Sequence, residues 1–177
     1  MVPPDILCNK LKHLNINPYI YNWIISFLSN RTQRVKVDGV LTEFLDVNRG
    51  VAQRTILGPI LFSVMVNDIK VIDPTCSLLG KFADDLTLSV PIRNGKSDIS
   101  SLEVLNVKKW AEENRMKLNL NKTWEMVLRG KTHKPLPDPL PLIQRRDWLK
   151  LLGVFFLNNP CNWDINFKNI LKKASSH

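Results

Sequence analysis

We expect the chain to fold around residues 78–90, which are Leu78-Leu79-Gly80-Lys81-Phe82-Ala83-Asp84-Asp85-Leu86-Thr87-Leu88-Ser89-Val90. Two short apolar runs flank the adjacent acids Asp84 and Asp85, and no turn-forming glycine separates the two runs. Short apolar runs on either side of a polar break are typical of two paired strands. The stretch therefore predicts an antiparallel hairpin whose acidic side chains stand at or beside the bend, clear of the sheet.

The adjacent carboxylates of Asp84 and Asp85 have two chemical interpretations. Like charges repel each other, and apolar surroundings raise the cost of ionising both groups. The pair is stable when water solvates it, as in an ordinary exposed turn, or when a cation neutralises it. Carboxylate oxygens suit Mg²⁺, which takes one or two of them and leaves its other positions to water and phosphates. Alone, the pair favours the solvated turn, and the case for a metal depends on the rest of the chain.

Size and composition indicate one globular domain that carries an excess of positive charge. The chain has 177 residues, of which 44% are hydrophobic and 23% charged, and its net charge is +9. From residue 129 onward, nine Lys or Arg stand against three acids, a net charge of +6 in this last part. This distribution favours a polyanionic partner, either nucleic acid or an anionic membrane surface. A solvated basic face without a partner gives the same pattern.

The three cysteines and the apolar runs set the expected compartment. Cys8, Cys76 and Cys161 are widely separated and show no CxxC spacing, which argues against a disulfide framework or a zinc site and suits a reducing compartment. The longest apolar run, 60–66, is too short to cross a bilayer. Residues 1–5 lack the basic start and apolar body of a signal peptide. We expect a soluble intracellular protein without a membrane partner, in either nucleus or cytoplasm.

The order of the predicted elements indicates an α+β fold. The first half is expected to contain helices at about 5–13 and 18–28, a hairpin turning at Asp38-Gly39 with a return strand near 44–47, and a loop at 49–59 leading into a helix that carries 60–69. After the acidic hairpin we expect an Asn94-Gly95 turn, a helix of about twenty residues capped by Ser97, a strand at 124–128, an extended proline-rich connection at 135–141, a strand-like run at 148–156 and a basic helix from about 165. Ile99, Leu102, Leu105 and Trp110 supply the expected inner face of the long helix. This is a set of helices on a mostly antiparallel sheet.

Several segments resemble, in chain order, the reverse transcriptases of non-LTR (LINE-type) retrotransposons. Val2-Pro3-Pro4-Asp5-Ile6-Leu7 is similar to the family's VPHDIL, and residues 23–31 are similar to its W-x-x-S-F-L-x-x-R run. Residues 50–59 resemble the G-V-P-Q-G-S-x-L-G-P loop, and Asn67-Asp68-Ile69 the motif that follows it. Phe82-Ala83-Asp84-Asp85 is similar to the F/Y-A-D-D polymerase box, while 118–123 and 152–154 resemble the next two motifs. Each motif is weak by itself, and their order and spacing make the resemblance strong.

The resemblance implies an RNA-directed DNA polymerase with RNA template, DNA primer and dNTP as partners and Mg²⁺ as cofactor. It implies partial fingers and palm helices in 1–50, a palm with the acidic hairpin in 51–157, and the start of a thumb in 158–177. The expected catalytic residues are Asp84, Asp85 and Lys122. Asp84 and Asp85 are the expected metal ligands, and Asp84 is the favoured one of the two. Phe82, Gln53 and Thr55 are expected near nucleotide and template. The expected nucleic-acid contacts are Arg54, Gly153, Val154, Lys168, Lys172 and Lys173. Lys122 is equally well explained as a surface lysine before a strand.

Four departures from the family pattern lead us to expect a catalytically incomplete fragment, truncated at both ends. The family's first metal-binding aspartate lies on a palm strand just before the segment that Val2–Leu7 resembles, and Asp5 matches a different position. A two-metal site normally uses such a third carboxylate. Arg54 stands where the family has glycine, and Ala52 where it has proline. The chain also ends within the expected thumb.

These departures leave three hypotheses open. The chain is a reverse transcriptase fragment with little or no polymerase activity. Alternatively it is a non-catalytic remnant that binds RNA or RNA–DNA duplex through its basic face, or it is a decayed element without function.

Overall fold

The computed structural model describes residues 2–47, 50–51, 55–93, 97–129 and 135–175. These residues belong to two compact units, Met1–Leu118 and Asn119–His177. Ala52, Gln53, Arg54 and the Asn94-Gly95 turn lie outside the described residues, so their expected roles stay predictions. The expected domain bounds at 50 and 157 also stay predictions.

The first unit contains four helices and three two-stranded ladders within its described residues. Its helices are α1 (Pro4–Lys12), α2 (Pro18–Leu28), α3 (Leu57–Val66) and α4 (Ser100–Glu113). Its strands are β1 (Thr32–Gln33), β2 (Lys36–Val37), β3 (Val40–Leu41), β4 (Leu45–Asp46), β5 (Leu78–Phe82) and β6 (Asp85–Ser89). The antiparallel pairs are β1 with β4, β2 with β3, and β5 with β6.

The core of the first unit lies between α1, α2 and α3. These helices contribute the fully or nearly fully buried side chains Leu7, Leu11, Ile24, Leu28, Leu61 and Met65, and Val2 joins them. α1 begins at Pro4, whose fixed φ suits a first helical turn, and α2 begins after Asn17, whose side chain accepts a hydrogen bond from the Tyr19 amide at 2.9 Å. Each buried leucine or methionine side chain stabilises the unit by about 1.5–3 kcal/mol. The three helices therefore give the first unit its stable frame.

The predicted turn at Asp38-Gly39 is confirmed, and the expected return strand is partly wrong. Val37 pairs with Val40, so Asp38 and Gly39 form a two-residue turn in which both have positive φ. The strand that returns directly is β3, at Val40–Leu41. The segment expected to return, which contains β4, pairs instead with β1.

The expected inner face of α4 is partly wrong: Ile99 and Trp110 are half-buried, but a polar side chain takes the most buried position. Leu102 and Leu105 are more than half exposed, whereas Glu103 is fully buried together with Ala111. The helix begins at Ser100, and the Asp98 carboxylate accepts the Ser100 amide at 2.8 Å, so Ser97 is not the cap. Periodicity alone cannot identify a glutamate that is buried by bonding to backbone amides.

The second unit contains four strands and one helix among its described residues. They are β7 (Trp124–Glu125), β8 (Gln144–Arg145), β9 (Trp148–Leu151), β10 (Val154–Leu157) and α5 (Asp164–Ala174). β7 and β8 pair in parallel, and β9 and β10 form a hairpin through Leu152 and Gly153, which both have positive φ. The run 148–156 is therefore two strands and not one. A short 3₁₀ turn, Leu120–Lys122, precedes β7, which is shorter than the strand expected at 124–128.

The mixture of helices and small, mostly antiparallel ladders confirms the α+β class. The described strands form five separate two-stranded pairs, so one continuous palm sheet stays a prediction. Residues 135–140 contain no helix, as their prolines predict. Among the described residues, no helix is both long and apolar enough to span a membrane.

Candidate active site at the acidic hairpin

The acidic hairpin is the β5–β6 ladder with its two-residue turn, Ala83 and Asp84. Phe82 pairs with Asp85 next to the turn, and Leu78 pairs with Ser89 at the other end. Ala83 has a φ of +49°, a left-handed conformation that non-glycine residues seldom adopt. Ala83 thus carries the strained conformation of the tight turn that it forms with Asp84. The sequence prediction of a hairpin with acids at the bend is confirmed.

The two faces of the acidic hairpin differ in their exposure. One face carries the half-buried leucines Leu79, Leu86 and Leu88, and Lys81 pairs with Leu86 on the same face. The opposite face carries Phe82 and Asp85, and both are exposed. The phenyl ring of Phe82 is 61% exposed, although such rings are usually buried. The hairpin therefore has one half-buried face and presents an apolar ring beside the acids on the other.

The carboxylates of Asp84 and Asp85 have the ligand chemistry that a hard cation takes. Both side chains are exposed, and neither takes part in a hydrogen bond or ion pair with another described residue. Their oxygens are therefore open to a ligand. One or two carboxylates are what Mg²⁺ usually takes from a protein. The described part of the chain contains no group of three or more His, Cys, Asp or Glu side chains placed to hold a metal.

Lys81 turns away from the acids and bonds to the backbone at the end of α3. Its ammonium donates to the carbonyl oxygens of Val66 at 2.8 Å, Asn67 at 3.0 Å and Ile69 at 2.7 Å. These carbonyls lie at the negative end of the helix, where a cation is favourable. Burial lowers the pKa of Lys81, an effect that the nearby Asp68 carboxylate opposes. Lys81 thus joins the acidic hairpin to the segment after α3.

Asp68 lies in that segment and is bonded from two sides. Its Oδ1 accepts the Lys10 ammonium at 2.6 Å and the Trp110 indole N–H at 3.1 Å, and Lys10 also donates to the Met65 carbonyl at 2.8 Å. Burial raises the pKa of Asp68, but the hydrogen bonds from Lys10 and Trp110, together with the Lys10 charge and a backbone hydrogen bond, leave that pKa below its usual value. Asp68 therefore connects α1, α4 and the end of α3.

Side chains of α4 hold the rest of this segment. The Glu103 carboxyl group accepts the amides of Ile72 at 2.9 Å and Asp73 at 3.2 Å, and the Asn106 amide donates to the Lys70 carbonyl at 2.7 Å. Glu103, Asn106 and Trp110 recur at a spacing that places them along one side of a helix. We call residues 66–73 the support segment, because helices on either side fix it and Lys81 bonds to it.

The loop before α3 is only partly described. The Thr55 hydroxyl accepts the Gly58 amide at 3.1 Å, which satisfies one free donor in the first turn of α3. Thr55, one of the residues expected near nucleotide and template, is half-buried at the start of this helix. Gln53 and Arg54 belong to the undescribed positions, so neither can be located relative to Asp84.

The remaining predicted site residues lie in the second unit. Lys122 is exposed at the end of the 3₁₀ turn, and Gly153 and Val154 form the turn and the first β10 residue of the β9–β10 hairpin. Gly153 has a φ of +89°, which explains the glycine at this turn. Lys168, Lys172 and Lys173 are exposed on α5. Their roles in binding nucleic acid stay predictions.

The second unit also carries cations stacked on aromatic rings, which the sequence analysis did not identify. The Arg146 guanidinium lies 4.3 Å from the centre of the Trp124 ring, and the Lys150 ammonium lies 5.3 Å from the centre of the Phe155 ring. The side-chain amide of Asn166 on α5 bonds to both the N–H and the C=O of Phe155, at 2.9 and 2.6 Å. These two hydrogen bonds satisfy the Phe155 backbone groups on the edge of β10 that faces α5.

Sequence reasoning placed Asn67-Asp68-Ile69 in a family motif but missed the supporting role of residues 66–73 and the side chains that bind them. The available signal was Lys81 itself, a cation within the otherwise apolar run 78–82. Asp5, which matches the aspartate of the family's first motif, forms an ion pair with Arg115, and its hydrogen bond lowers the Asp5 pKa. Asp5 is therefore engaged in a contact between α1 and the end of α4.

Comparison with known proteins gives the same family that the motifs resemble. Residues 1–156 match the sequence profile of the family described as "Reverse transcriptase (RNA-dependent DNA polymerase)". The chain is 30% identical over 134 residues to the RNA-directed DNA polymerase from mobile element jockey of Drosophila melanogaster, covering 71% of this chain and 14% of that protein. It is 29% identical over 162 residues to the probable RNA-directed DNA polymerase from transposon BS of the same organism, covering 85% of this chain and 18% of that protein.

The chain thus spans less than a fifth of the length of these two curated relatives. No solved structure matches it significantly. The profile match extends over most of the chain and includes the acidic hairpin, the support segment and the β9–β10 hairpin. The chain therefore belongs to the reverse transcriptase family, and within it to the non-LTR retrotransposon type that its motifs resemble.

Proposed function

We propose that the acidic hairpin supplies two metal-binding carboxylates of a retrotransposon polymerase centre that acts on RNA template, DNA primer and dNTP. The observation that carries this proposal is the two-residue turn that holds Asp84 and Asp85 exposed, with oxygens open to a ligand. When bound, Mg²⁺ supplies activation of the primer 3′-hydroxyl and charge stabilisation of the leaving pyrophosphate. Asp84 and Asp85 hold the cation, and Phe82 lies beside them to contact the nucleotide or the primer end.

We further propose that nucleotide transfer needs a third carboxylate, which the described residues do not bring to Asp84. Two-metal centres usually clamp both ions with shared acidic ligands, and two adjacent aspartates leave one ion poorly held. The 177-residue chain alone then shows little or no primer extension. Gln53, Thr55, Arg54 and Lys122 are expected to contact template, nucleotide and pyrophosphate only in the complete centre.

Primer extension on an RNA template with Mg²⁺ tests both parts of this proposal. The variants are Asp84→Asn and the matched control Asp38→Asn, which changes an exposed acid in another two-residue turn. Any residual extension should disappear in Asp84→Asn and persist in Asp38→Asn. Strong extension that depends on Asp84 would contradict incompleteness while supporting the metal role. Extension that is equal in Asp84→Asn and the wild type would refute the metal role.

A second candidate function is nucleic-acid binding without chemistry. It is favoured by the cation–aromatic contacts of Arg146 with Trp124 and Lys150 with Phe155, since flat rings and cations together suit single-stranded nucleic acid. The exposed lysines Lys168, Lys172 and Lys173, together with Gly153 and Val154, would extend this surface. Binding of an RNA oligonucleotide should then weaken steeply with salt and survive Asp84→Asn with Asp85→Asn. Absence of binding at low salt would exclude this function.

A further inference from the structure

Lys81 is the residue through which the acidic hairpin is bonded to its support segment. All three of its ammonium hydrogen bonds go to carbonyl oxygens of the support segment, at 2.7–3.0 Å. An ammonium has three protons, so these three acceptors use its full donor capacity. The side chain therefore has one defined position, and the strand that carries it is held at that position.

The support segment is itself fixed independently of Lys81. Lys10 and Trp110 hold Asp68, Asn106 holds the Lys70 carbonyl, and Ile69 is 2% exposed. These contacts come from α1 and α4, and α1 belongs to the hydrophobic core of the first unit. The carbonyls that Lys81 reaches thus form a rigid part of the unit.

The acidic hairpin has few other means of being held in place. The side chains of β5 and β6 are exposed or, at best, half-buried. A two-stranded hairpin is only marginally stable in water without further packing. Lys81 is also three residues before Asp84, at the end of the ladder that leads into the turn. Its bonds are therefore placed to limit movement of the turn.

We propose that Lys81 is a positioning residue for the two carboxylates of the polymerase centre, acting through the hairpin and not by contact with substrate or metal. This inference rests on the proposed metal role of Asp84 and Asp85. Loss of the ammonium frees the turn, and the carboxylates then bind a divalent cation more weakly.

The sign of the change in metal affinity separates positioning from simple electrostatics. Removing a positive charge near two carboxylates strengthens cation binding by Coulomb's law. Loss of positioning weakens it. A variant that removes the Lys81 charge and nonetheless binds the cation less tightly has therefore lost geometry. Lys70→Met is the matched control, because Lys70 is an exposed ammonium close in sequence whose own side chain bonds to none of these carbonyls.

The experiment uses the full chain as wild type, Lys81→Met, Lys81→Arg and Lys70→Met, with circular dichroism confirming that each is folded. Amide hydrogen exchange of β5 and β6 is measured by mass spectrometry, and Mn²⁺ affinity by electron paramagnetic resonance. Lys81→Met should exchange at least about tenfold faster in the hairpin, because hydrogen bonds of a charged group are lost. It should also bind Mn²⁺ several-fold more weakly, with Lys81→Arg closer to wild type and Lys70→Met equal or tighter.

The two readouts distinguish failure of this inference from failure of the proposed function. Hairpin exchange in Lys81→Met that equals the wild-type rate overturns the positioning role, whatever the Mn²⁺ result. Equal or tighter Mn²⁺ binding in Lys81→Met overturns it as well, and leaves the metal role of the aspartates intact. A wild-type chain that binds no Mn²⁺ overturns the proposed metal role and with it the assignment of Lys81 to that centre.

Discussion

Replacing Glu103 with alanine should destabilise the first unit far more than any exposed acid on the same helix. Glu103 is fully buried, and its carboxyl group accepts two backbone amides of the support segment at 2.9 and 3.2 Å. Its loss leaves the Ile72 and Asp73 amides without their acceptor. Ile72 and Asp73 are not fully buried, so water partly replaces the carboxyl group.

The magnitude follows from two contributions. Each amide left without its acceptor costs about 1 kcal/mol, the low end for such groups because of partial water access. The one buried methylene lost from the side chain, Cγ, costs about 0.8 kcal/mol. The higher helix propensity of alanine returns less than about 0.5 kcal/mol. We therefore expect Glu103→Ala to lower the free energy of unfolding by about 2.5 kcal/mol, and Glu103→Gln, which keeps one acceptor oxygen, by about half as much.

Urea unfolding followed by far-ultraviolet circular dichroism measures this difference. A loss of about 2.5 kcal/mol shifts the midpoint by about 0.8–2.5 M for a typical urea dependence, or leaves a marginal domain unfolded. Glu112→Ala is the control, because Glu112 is an exposed acid on α4 and should change stability by less than about 0.5 kcal/mol. If Glu103→Ala and Glu112→Ala have equal midpoints, the reasoning about the buried carboxyl group is refuted.

Three further predictions concern stability. Arg145→Met should lower the free energy of unfolding of the second unit by about 3 kcal/mol in urea, because Arg145 forms a largely buried ion pair with Glu125 at 2.7 Å. A loss below about 0.5 kcal/mol, which is the loss expected for the exposed pair Lys109–Glu113, would contradict this prediction. Leu61→Ala should cost about 2–5 kcal/mol and the exposed Leu171→Ala less than about 0.5, and similar urea midpoints would argue against the helical core. The pKa values of Asp5 and Asp68 are lowered, so the folded state binds fewer protons than the unfolded state in acid. The stability that these two carboxylates contribute is therefore present above the usual pKa of 3.8 and is lost as the pH falls through the lowered pKa values. Asp68→Asn should therefore make thermal stability less dependent on pH below about 4, and an unchanged dependence would show that the ion pair with Lys10 contributes nothing.

The sequence was sufficient for elements that local chemistry determines. Pro4 and Pro18 mark helix starts, Asp38-Gly39 marks a turn, and the apolar runs around Asp84 mark a hairpin; the structure contains all of these. The motif order also identified the family, which the profile match over residues 1–156 confirms. These signals depend on neighbouring residues, so a single sequence carries them.

The sequence was insufficient where distant segments determine the outcome. Glu103 is buried only because the amides of residues 72 and 73 reach it, and no periodicity in α4 records that contact. Lys81 lies on the half-buried side of its strand, where carbonyl oxygens at the end of α3 accept hydrogen bonds from its ammonium group. Leu152 adopts a positive φ inside a run that looks like one strand, because the turn also uses Gly153. Each of these is a tertiary contact or a turn choice that overrides local pattern.

We propose that Asp84 and Asp85, beside a two-residue turn, together form a divalent cation site. Titration of the full chain with Mn²⁺, followed by electron paramagnetic resonance, measures this directly in the wild type, in Asp84→Asn with Asp85→Asn, and in the control Asp38→Asn. We expect one bound Mn²⁺ in the wild type and in the control, and loss of that ion in the double variant. Mn²⁺ binding that is undiminished in the double variant, or absent from the wild type, would contradict it.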